Sequence, residues 1–420
     1  MNTLLIGSGG REHAIGKALK KSKNIGGLYS LPGSSALFEI SKKLDLKKQT
    51  VAADNFENIY NQILEKEIEL VVVGPEAPLV DGLSNYLRER GILVFGPDSK
   101  GAKLEGDKIF AKDFMQEFGI PTGTYTKVSN ELSLEQAFEK HKNDPFYVFK
   151  YKDLAGGKGV LVSKSKDEIR NFAKSFGVTD EQTEVVGYLE EPLEGWELSY
   201  ICIVGDQGYQ VCPVLQDHKR LKDGDLGPNT GGMGVAGPLK LEAALEKEIV
   251  EKMVLPTLKG IEEREILYRG VVYLGVMVTD KGPKLLEYNV RFGDPEAQLI
   301  FPLVESDWLE TFKSVSLGQK FSLKQTSDYG CCVVLAAEGY PDSPVKGAEI
   351  SGLEKIEANQ ICHAGTKSKD GKWLVNGGRV LNVLQISPTL AEAVEGADKK
   401  ASLVLFEGVQ RRSDIGSKVL

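Results

Sequence analysis

Cysteine is scarce in this 420-residue chain, which has five: Cys202, Cys212, Cys331, Cys332 and Cys362. No two of them form a CxxC pair, which argues against a metal ribbon or a disulfide framework. Most lie in apolar runs such as "CCVVLAA", which predicts buried free thiols in a reducing compartment. Long apolar stretches are also missing, since nowhere do about eighteen apolar residues run unbroken. "MNTLLIGSGG" has neither the basic region nor the apolar core of a secretion signal, so a cytoplasmic protein without an anchor is expected. Positive charge is in deficit: the net charge is −8 and the pI near 5.4. No global field draws in nucleic acid or an anionic membrane, so an anionic ligand must meet local lysines and glycine N–H groups. Internal repeats and low-complexity segments are absent.

What is present is material for several cores. Hydrophobic residues make up 41% and charged residues 27% of the chain, and its length predicts three or four domains. "TLLIG" followed by "SGGREHAIGKALKKS" reads as strand, glycine turn and helix. "IELVVVGPEAPLVDGLSNYLRERG" repeats the arrangement, which predicts a parallel α/β sheet over residues 1–104 with ligand loops at the strand ends. Residues 105–325 open with a helix that stops at Gly119, then turn to alternating strands, with a mobile segment expected at about 123–189. Residues 326–420 are β-rich and close on a short helix.

In "GSGGREH" the glycines are Gly7, Gly9 and Gly10, whereas the dinucleotide fingerprint needs its third glycine at position 12, which is Glu12. A nicotinamide or flavin site is disfavoured. The turn reads either as an anion site at a helix N-terminus, reinforced by Arg11, or as a structural tight turn. "KYKDLAGGKGVLV" (Lys150 to Val162) is no Walker A loop, because Gly159 follows Lys158 and strand-like residues stand on both sides. It predicts a hairpin whose glycine tip folds over a polyphosphate or, taken alone, an exposed hairpin with solvated lysines. "GPNTGGMG" (Gly227 to Gly234) is a second glycine-rich segment. In "LEYNVRFGDPEAQ", Glu287 and Asn289 share one face of a strand and offer hard oxygen ligands to Mg²⁺. Arg291 lies one step further along that face, with a planar fork suited to a carboxylate or phosphate.

Ten blocks in order, "GSGGREHA", "VVVGPEAPLVDGL", "LEGDKIFAKDFM", "LAGGKGV", "QDHKR", "GPNTGGMG", "LEYNVRFGDPEAQ", "HAGT", "NGGRVLNV" and "RRSDIG", resemble the ATP-grasp ligases. Among these the chain is most similar to the phosphoribosylamine–glycine ligase family. The resemblance implies a Rossmann-like N-terminal domain, central ATP-grasp domains and a small β-rich C-terminal domain. It also implies the reaction: ATP phosphorylates the carboxylate of glycine, and the amine of 5-phosphoribosylamine attacks the acyl phosphate, giving glycinamide ribonucleotide in purine biosynthesis. ATP is then a co-substrate, and Mg²⁺, with Mn²⁺ as its substitute, the metal. The partners are these small molecules, without nucleic acid or membrane, for a monomer in transient contact with the preceding pathway enzyme.

By the same resemblance, Lys108 and Lys150 approach the ATP phosphates and the tip Ala155, Gly156, Gly157, Lys158 and Gly159 closes over them. Glu190, Glu191 and Leu193 line the adenine edge, and Glu197 the ribose. Glu287 and Asn289 hold the metal. Arg291 holds the glycine carboxylate, with Asp217 and Asp294 near the substrate amines. Gly9, Gly10, Arg11, Glu76, Asn229, Thr230, Gly231 and Gly232 receive the ribose phosphate and sugar. The chain departs from the family at Tyr151, Lys152 and Asp153, where a glycine is lost and a stiffer hinge is expected. It departs again at Pro192, which leaves the Leu193 N–H to serve the adenine ring, and in "YLGVMVT", which lacks an acidic metal ligand. His13, His218 and His363 read as loop-orienting groups. The alternatives are another ATP-grasp ligase or carboxylase, a nucleotide sensor without turnover, and an α/β dehydrogenase.

Overall fold

The computed structural model describes residues 1–156 and 158–418. "TLLIG" and "LVVV" are buried on both faces, as the centre of a parallel sheet requires. In the N-terminal sheet the strands lie in the order Lys42–Lys43, Leu28–Pro32, Thr3–Gly7, Leu70–Val73, Leu93–Phe95, all parallel. The chain order reverses between Thr3–Gly7 and Leu70–Val73, so the first turn of the helix Gly10–Lys20, which carries Arg11, and the loop bearing Glu76 flank the crevice where such sheets bind ligands.

Four antiparallel strands, Tyr125–Val128, Gly187–Glu190, Tyr147–Tyr151 and Val160–Ser163, form the lid sheet in that spatial order. Lys150 pairs with Val160, so "KYKDLAGGKGVLV" is the hairpin expected. Helices Glu131–Lys140 and Lys166–Ser175 back the lid. Phe138, Phe149, Ile169 and Leu189 give it a core of its own.

The floor sheet is antiparallel, in the order Gly208–Val211, Trp196–Gly205, Gly270–Thr279, Gly282–Asn289. Its last pair carries a bulge: Val276 faces Leu285 but Gly275 faces Glu287, leaving Leu286 as the extra residue. The bulge resets the alternation. Leu285, Tyr288 and Val290 all enter the core, while Glu287 and Asn289 turn to the opposite face.

A third sheet runs Gln216–Asp217, Gly234–Gly237, Tyr329–Ala336, Arg379–Ser387, Ile361–His363 and is covered by the helix Leu390–Ala401. Its first two strands come from before residue 325, so the C-terminal β-rich region shares a sheet with the segment bearing Asp217. All five cysteines are buried free thiols. No helix among the described residues is long and apolar enough to cross a membrane.

Candidate active site

The lid, floor, N-terminal loops and C-terminal region enclose a cleft of about 710 Å³. A larger groove of about 1470 Å³ beside Trp196 is lined by none of the expected residues. Fifteen of them line the smaller cleft, from Arg11 and Glu76 through Lys108, Lys150 and Glu197 to Asn229, Glu287, Arg291 and Asp294.

Asp107 accepts hydrogen bonds from the N–H groups of Ile109 and Phe110, both at 3.0 Å, and so starts the helix Lys108–Glu117 at the cleft rim. Lys108 Nζ donates to Asp153 O at 2.9 Å, which ties this helix to the lid loop. Burial holds the Lys108 ammonium below the usual lysine range. Lys150 Nζ lies 2.6 Å from Glu190 Oε2, and the other carboxylate oxygen pairs with Lys112. Burial pushes the Glu190 carboxyl up, but its two ammonium partners outweigh burial and hold it below the usual range. Ala111, Met115, Val148, Tyr188 and Leu286 add apolar walls suited to a planar base.

The adenine-edge expectation changes in its details. Glu190 is engaged by its lysines. Glu191 accepts from the Thr124 N–H at 3.0 Å and from Lys284 at 3.1 Å, and neither glutamate nor Leu193 lines the cleft. A carboxylate withdrawn from water needs a cation, and the protein's own lysines supply it. At the lid tip Ala155, Gly156 and Gly159 line the cleft, and Gly156 has φ +56, where an L side chain is strained. Gly157 lies outside the described residues. Lys158 is exposed and does not line the cleft, because an ammonium at a hairpin tip stays hydrated. The departing arm is braced: Tyr151 stacks on Phe176 at 4.5 Å and donates its hydroxyl to Asp153 at 2.9 Å.

Glu287 is exposed on the cleft wall with Asn289 beside it, an oxygen-only pair that fits a hard cation such as Mg²⁺. No group of three or more His, Cys, Asp or Glu suited to a metal occurs among the described residues. Gly275 lies directly across from Glu287, so that neighbouring position offers no further ligand. Arg291 is not an open fork. It donates to Glu105 at 2.7 Å, to Asn289 Oδ1 at 3.0 Å and, from Nε, to Glu76 at 3.3 Å. A cation at the Asn289 oxygen therefore competes with the guanidinium. Glu105 also accepts the Val290 N–H at 2.8 Å, and burial pushes its carboxyl up to about 7.

The glycine turn after Thr3–Gly7 is filled from within. Glu12 accepts the Gly9 N–H at 2.7 Å and Arg11 Nε at 2.6 Å. A Cβ on Gly7 or Gly74 would lie 2.4 or 2.1 Å from Glu12 atoms. Glu12 thus occupies the space that a dinucleotide pyrophosphate needs. Gly9 and Gly10 do not line the cleft, and a Cβ on Gly10 would meet Asn382 at 2.6 Å, so here glycine serves close packing.

Asn229, Thr230 and Gly231 do line it, whereas Gly232 and Asp217 do not. Asp217 lies against Gly232 and pairs with Lys219 at 2.5 Å, and burial pushes its carboxyl up to about 6. Asp294 is held below the usual range because Arg379 and Arg11 outweigh its burial. Arg379, from the C-terminal region, donates to Gly231 O at 2.7 Å and lines the cleft with Tyr340.

Glu105, Lys112, Lys219 and Arg379 are cleft residues that the sequence reasoning missed, and Glu296, close to Asp294 in the chain, lines the cleft as well. One signal was available, since Lys112 is i+4 from Lys108 and so shares its helix face. Arg379 stands in the quoted block "NGGRVLNV", but that block does not show that the residue reaches the cleft, which it does through the C-terminal sheet.

Three family descriptions match in order: phosphoribosylglycinamide synthetase N domain at residues 1–105, its ATP-grasp (A) domain at 106–297 and its C domain at 330–418. The chain is 38% identical to the phosphoribosylamine–glycine ligase of Rhizobium meliloti (strain 1021), over 99% of this chain and 98% of that protein. It is 39% identical, over 99% of its length, to the trifunctional purine biosynthetic protein adenosine-3 of Gallus gallus, of which it spans only 42%. The crystal structure of phosphoribosylamine–glycine ligase from Thermotoga maritima superposes with a TM-score of 0.84 at 36% identity, covering 99% of this chain and 100% of that one. The chain belongs to the phosphoribosylamine–glycine ligase family of the ATP-grasp enzymes.

Proposed function

We propose that this chain joins glycine to 5-phosphoribosylamine at the expense of ATP, releasing ADP and phosphate. One observation carries the reading: Glu287, Asn289 and Arg291 reach a single cleft together with Lys108 and Lys150, while Glu76, Thr230 and Asp294 line the same space. A glycine carboxylate oxygen attacks the γ-phosphorus and ADP leaves. The amine nitrogen then attacks the acyl carbon, phosphate leaves with the C–O bond electrons, and the nitrogen loses a proton.

Lys108 and Lys150 meet the phosphates, and Lys150 exchanges Glu190 for them while Lys112 keeps Glu190 paired. Arg291, with its orientation set by Glu105, takes the glycine carboxylate, and Asp294, held ionised by Arg379, takes a substrate ammonium. Asp217, which stands closer to neutral pH, is the proposed proton acceptor once the loop at Gly232 shifts. Closure of the lid tip excludes the water that would hydrolyse the acyl phosphate. Glu287 and Asn289 would hold Mg²⁺ or Mn²⁺, which would supply neutralisation of the phosphate charge. The Leu193 N–H is proposed for the adenine ring, Glu197 for the ribose, and Lys158 for the phosphates after closure. The setting proposed is a cytoplasmic monomer that meets the supplier of its labile amine transiently.

The test is phosphate release from Mg·ATP with glycine and freshly generated phosphoribosylamine, each omitted in turn. Release that requires both supports the ligase. Release that needs only one, or a different acceptor, overturns the substrate assignment, and ATP binding without turnover indicates a sensor.

A further inference from the structure

The hairpin that carries "GPNTGG" is poorly supported by its own strands. Among the described residues, Arg220–Lys222 and Leu226–Asn229 pair only with each other, in a two-stranded sheet whose second strand is exposed throughout. An isolated two-stranded ribbon is marginal in water. Its turn, however, is gripped by the C-terminal block "RRSDIG". Arg412 has 0% of its surface exposed and donates to Asp225 Oδ1 at 2.9 Å, to Arg220 O at 3.1 Å and, from both Nε and Nη2, to Asp414 at 2.7 Å. Asp414 in turn accepts the Gly224 N–H at 2.8 Å, and Ser413 donates its hydroxyl to Asp223 at 2.6 Å. The far end of the same hairpin is Asn229, Thr230 and Gly231, which line the cleft. Asp225 adopts φ +55, so the turn holds a conformation that a non-glycine residue seldom takes alone.

We propose that Arg412 is a positioning residue for the amine-substrate site: the C-terminal block fixes the turn of the hairpin, and the hairpin thereby presents Asn229–Gly231 to 5-phosphoribosylamine. The inference rests on the reading that this loop receives the phosphoribosyl substrate. A guanidinium sealed from water among two carboxylates and a carbonyl defines both the distance and the angle of the turn, which a lysine reproduces only in part. Among the described residues no hydrogen bond or ion pair joins this clamp to Lys108, Lys150 or Glu197, although the Asp225 carboxylate is an electrostatic neighbour of Glu197, so its effect should be greatest on one substrate.

The experiment compares wild type, Arg412→Lys, Arg412→Met and Asp225→Asn in the phosphate-release assay, varying one substrate at a time, with calorimetric titration of glycinamide ribonucleotide as a second readout. Asp225→Asn is the variant that keeps the fold, because Asn tolerates the left-handed backbone. The expected result is a rise of about tenfold in KM for phosphoribosylamine and in Kd for the ribonucleotide. KM for ATP and glycine should stay within about twofold, and Arg412→Lys should recover part of the loss. Equal shifts in all three KM values, or an unchanged KM for phosphoribosylamine in Asp225→Asn, overturn the positioning role. A wild-type chain that releases no phosphate with glycine and phosphoribosylamine defeats the functional reading itself, and is recognised before any variant is compared.

Discussion

Lys150 Nζ lies 2.6 Å from Glu190 Oε2, so the cation expected at the ATP phosphates is held by a carboxylate on the adjacent lid strand. Lys112 pairs with the other oxygen of the same group. Glu190 therefore has two counter-charges.

Lys112→Met removes one cation from a carboxylate that is only 3% exposed. Urea unfolding should show a loss of about 3 kcal/mol, as for other broken buried pairs. Adding Glu190→Gln should cost less than the sum of the two single losses, because the amide needs no counter-ion from Lys112 although it leaves Lys150 without its carboxylate. Two losses that simply add would show that the pair is not coupled.

Arg291→Ala should lower turnover by about a thousandfold while leaving the ATP dissociation constant within about threefold, since the guanidinium is assigned to the glycine carboxylate. Initial rates and equilibrium binding measured on the same preparation decide this. Comparable losses in both would place Arg291 at the nucleotide instead.

Chelation with EDTA should stop turnover, and Mg²⁺ or Mn²⁺ should restore it. Glu287→Gln should raise the half-saturating Mg²⁺ concentration by at least about tenfold, because the site offers few protein ligands and the charge of one is removed. An unchanged Mg²⁺ requirement would move the metal away from this strand.

Acid should destabilise the fold through two buried histidines. The His363 N–H donates to His13 Nδ1 at 2.9 Å, joining the N-terminal helix to the C-terminal region. Burial, with Lys17 nearby, pulls His13 down to about 2 and His363 to about 4. Both stay neutral in the folded chain while the unfolded chain takes up protons below its ordinary value of 6.5. Stability is thus full above that pH and falls as pH drops from there towards 4. The His363 share approaches ~3 kcal/mol. His363→Gln should flatten this part of the denaturant-midpoint profile, and an equally steep profile in the variant would assign the acid response to other groups.

Local pattern made much of this legible. The buried runs "TLLIG" and "LVVV", the glycine-tipped hairpin and the Glu287/Asn289 pair each depend on residues a few positions apart and stand where the sequence placed them, whereas Arg291 lies in a bend past the strand end at Asn289. Side-chain engagement was not legible. Glu191 looks like a site residue in "EEPLEG" and instead serves Thr124 and Lys284, because its partners come from other strands. Glu12 read only as a missing glycine, yet it is the group that occupies the turn.

By itself the order of residues determined the strand and helix types, the family and the chemical kinds of group available: ammonium groups, hard oxygens and a guanidinium. Tertiary structure decided which of them meet. The extra residue Leu286 turns Glu287 and Asn289 towards the cleft while Leu285, Tyr288 and Val290 stay in the core. Arg379 and Arg412 act at the cleft or its supporting loop only because the C-terminal sheet pairs with the strand at Gly234–Gly237. Bulges and cross-domain pairing are set by packing between distant segments, and no local period records them.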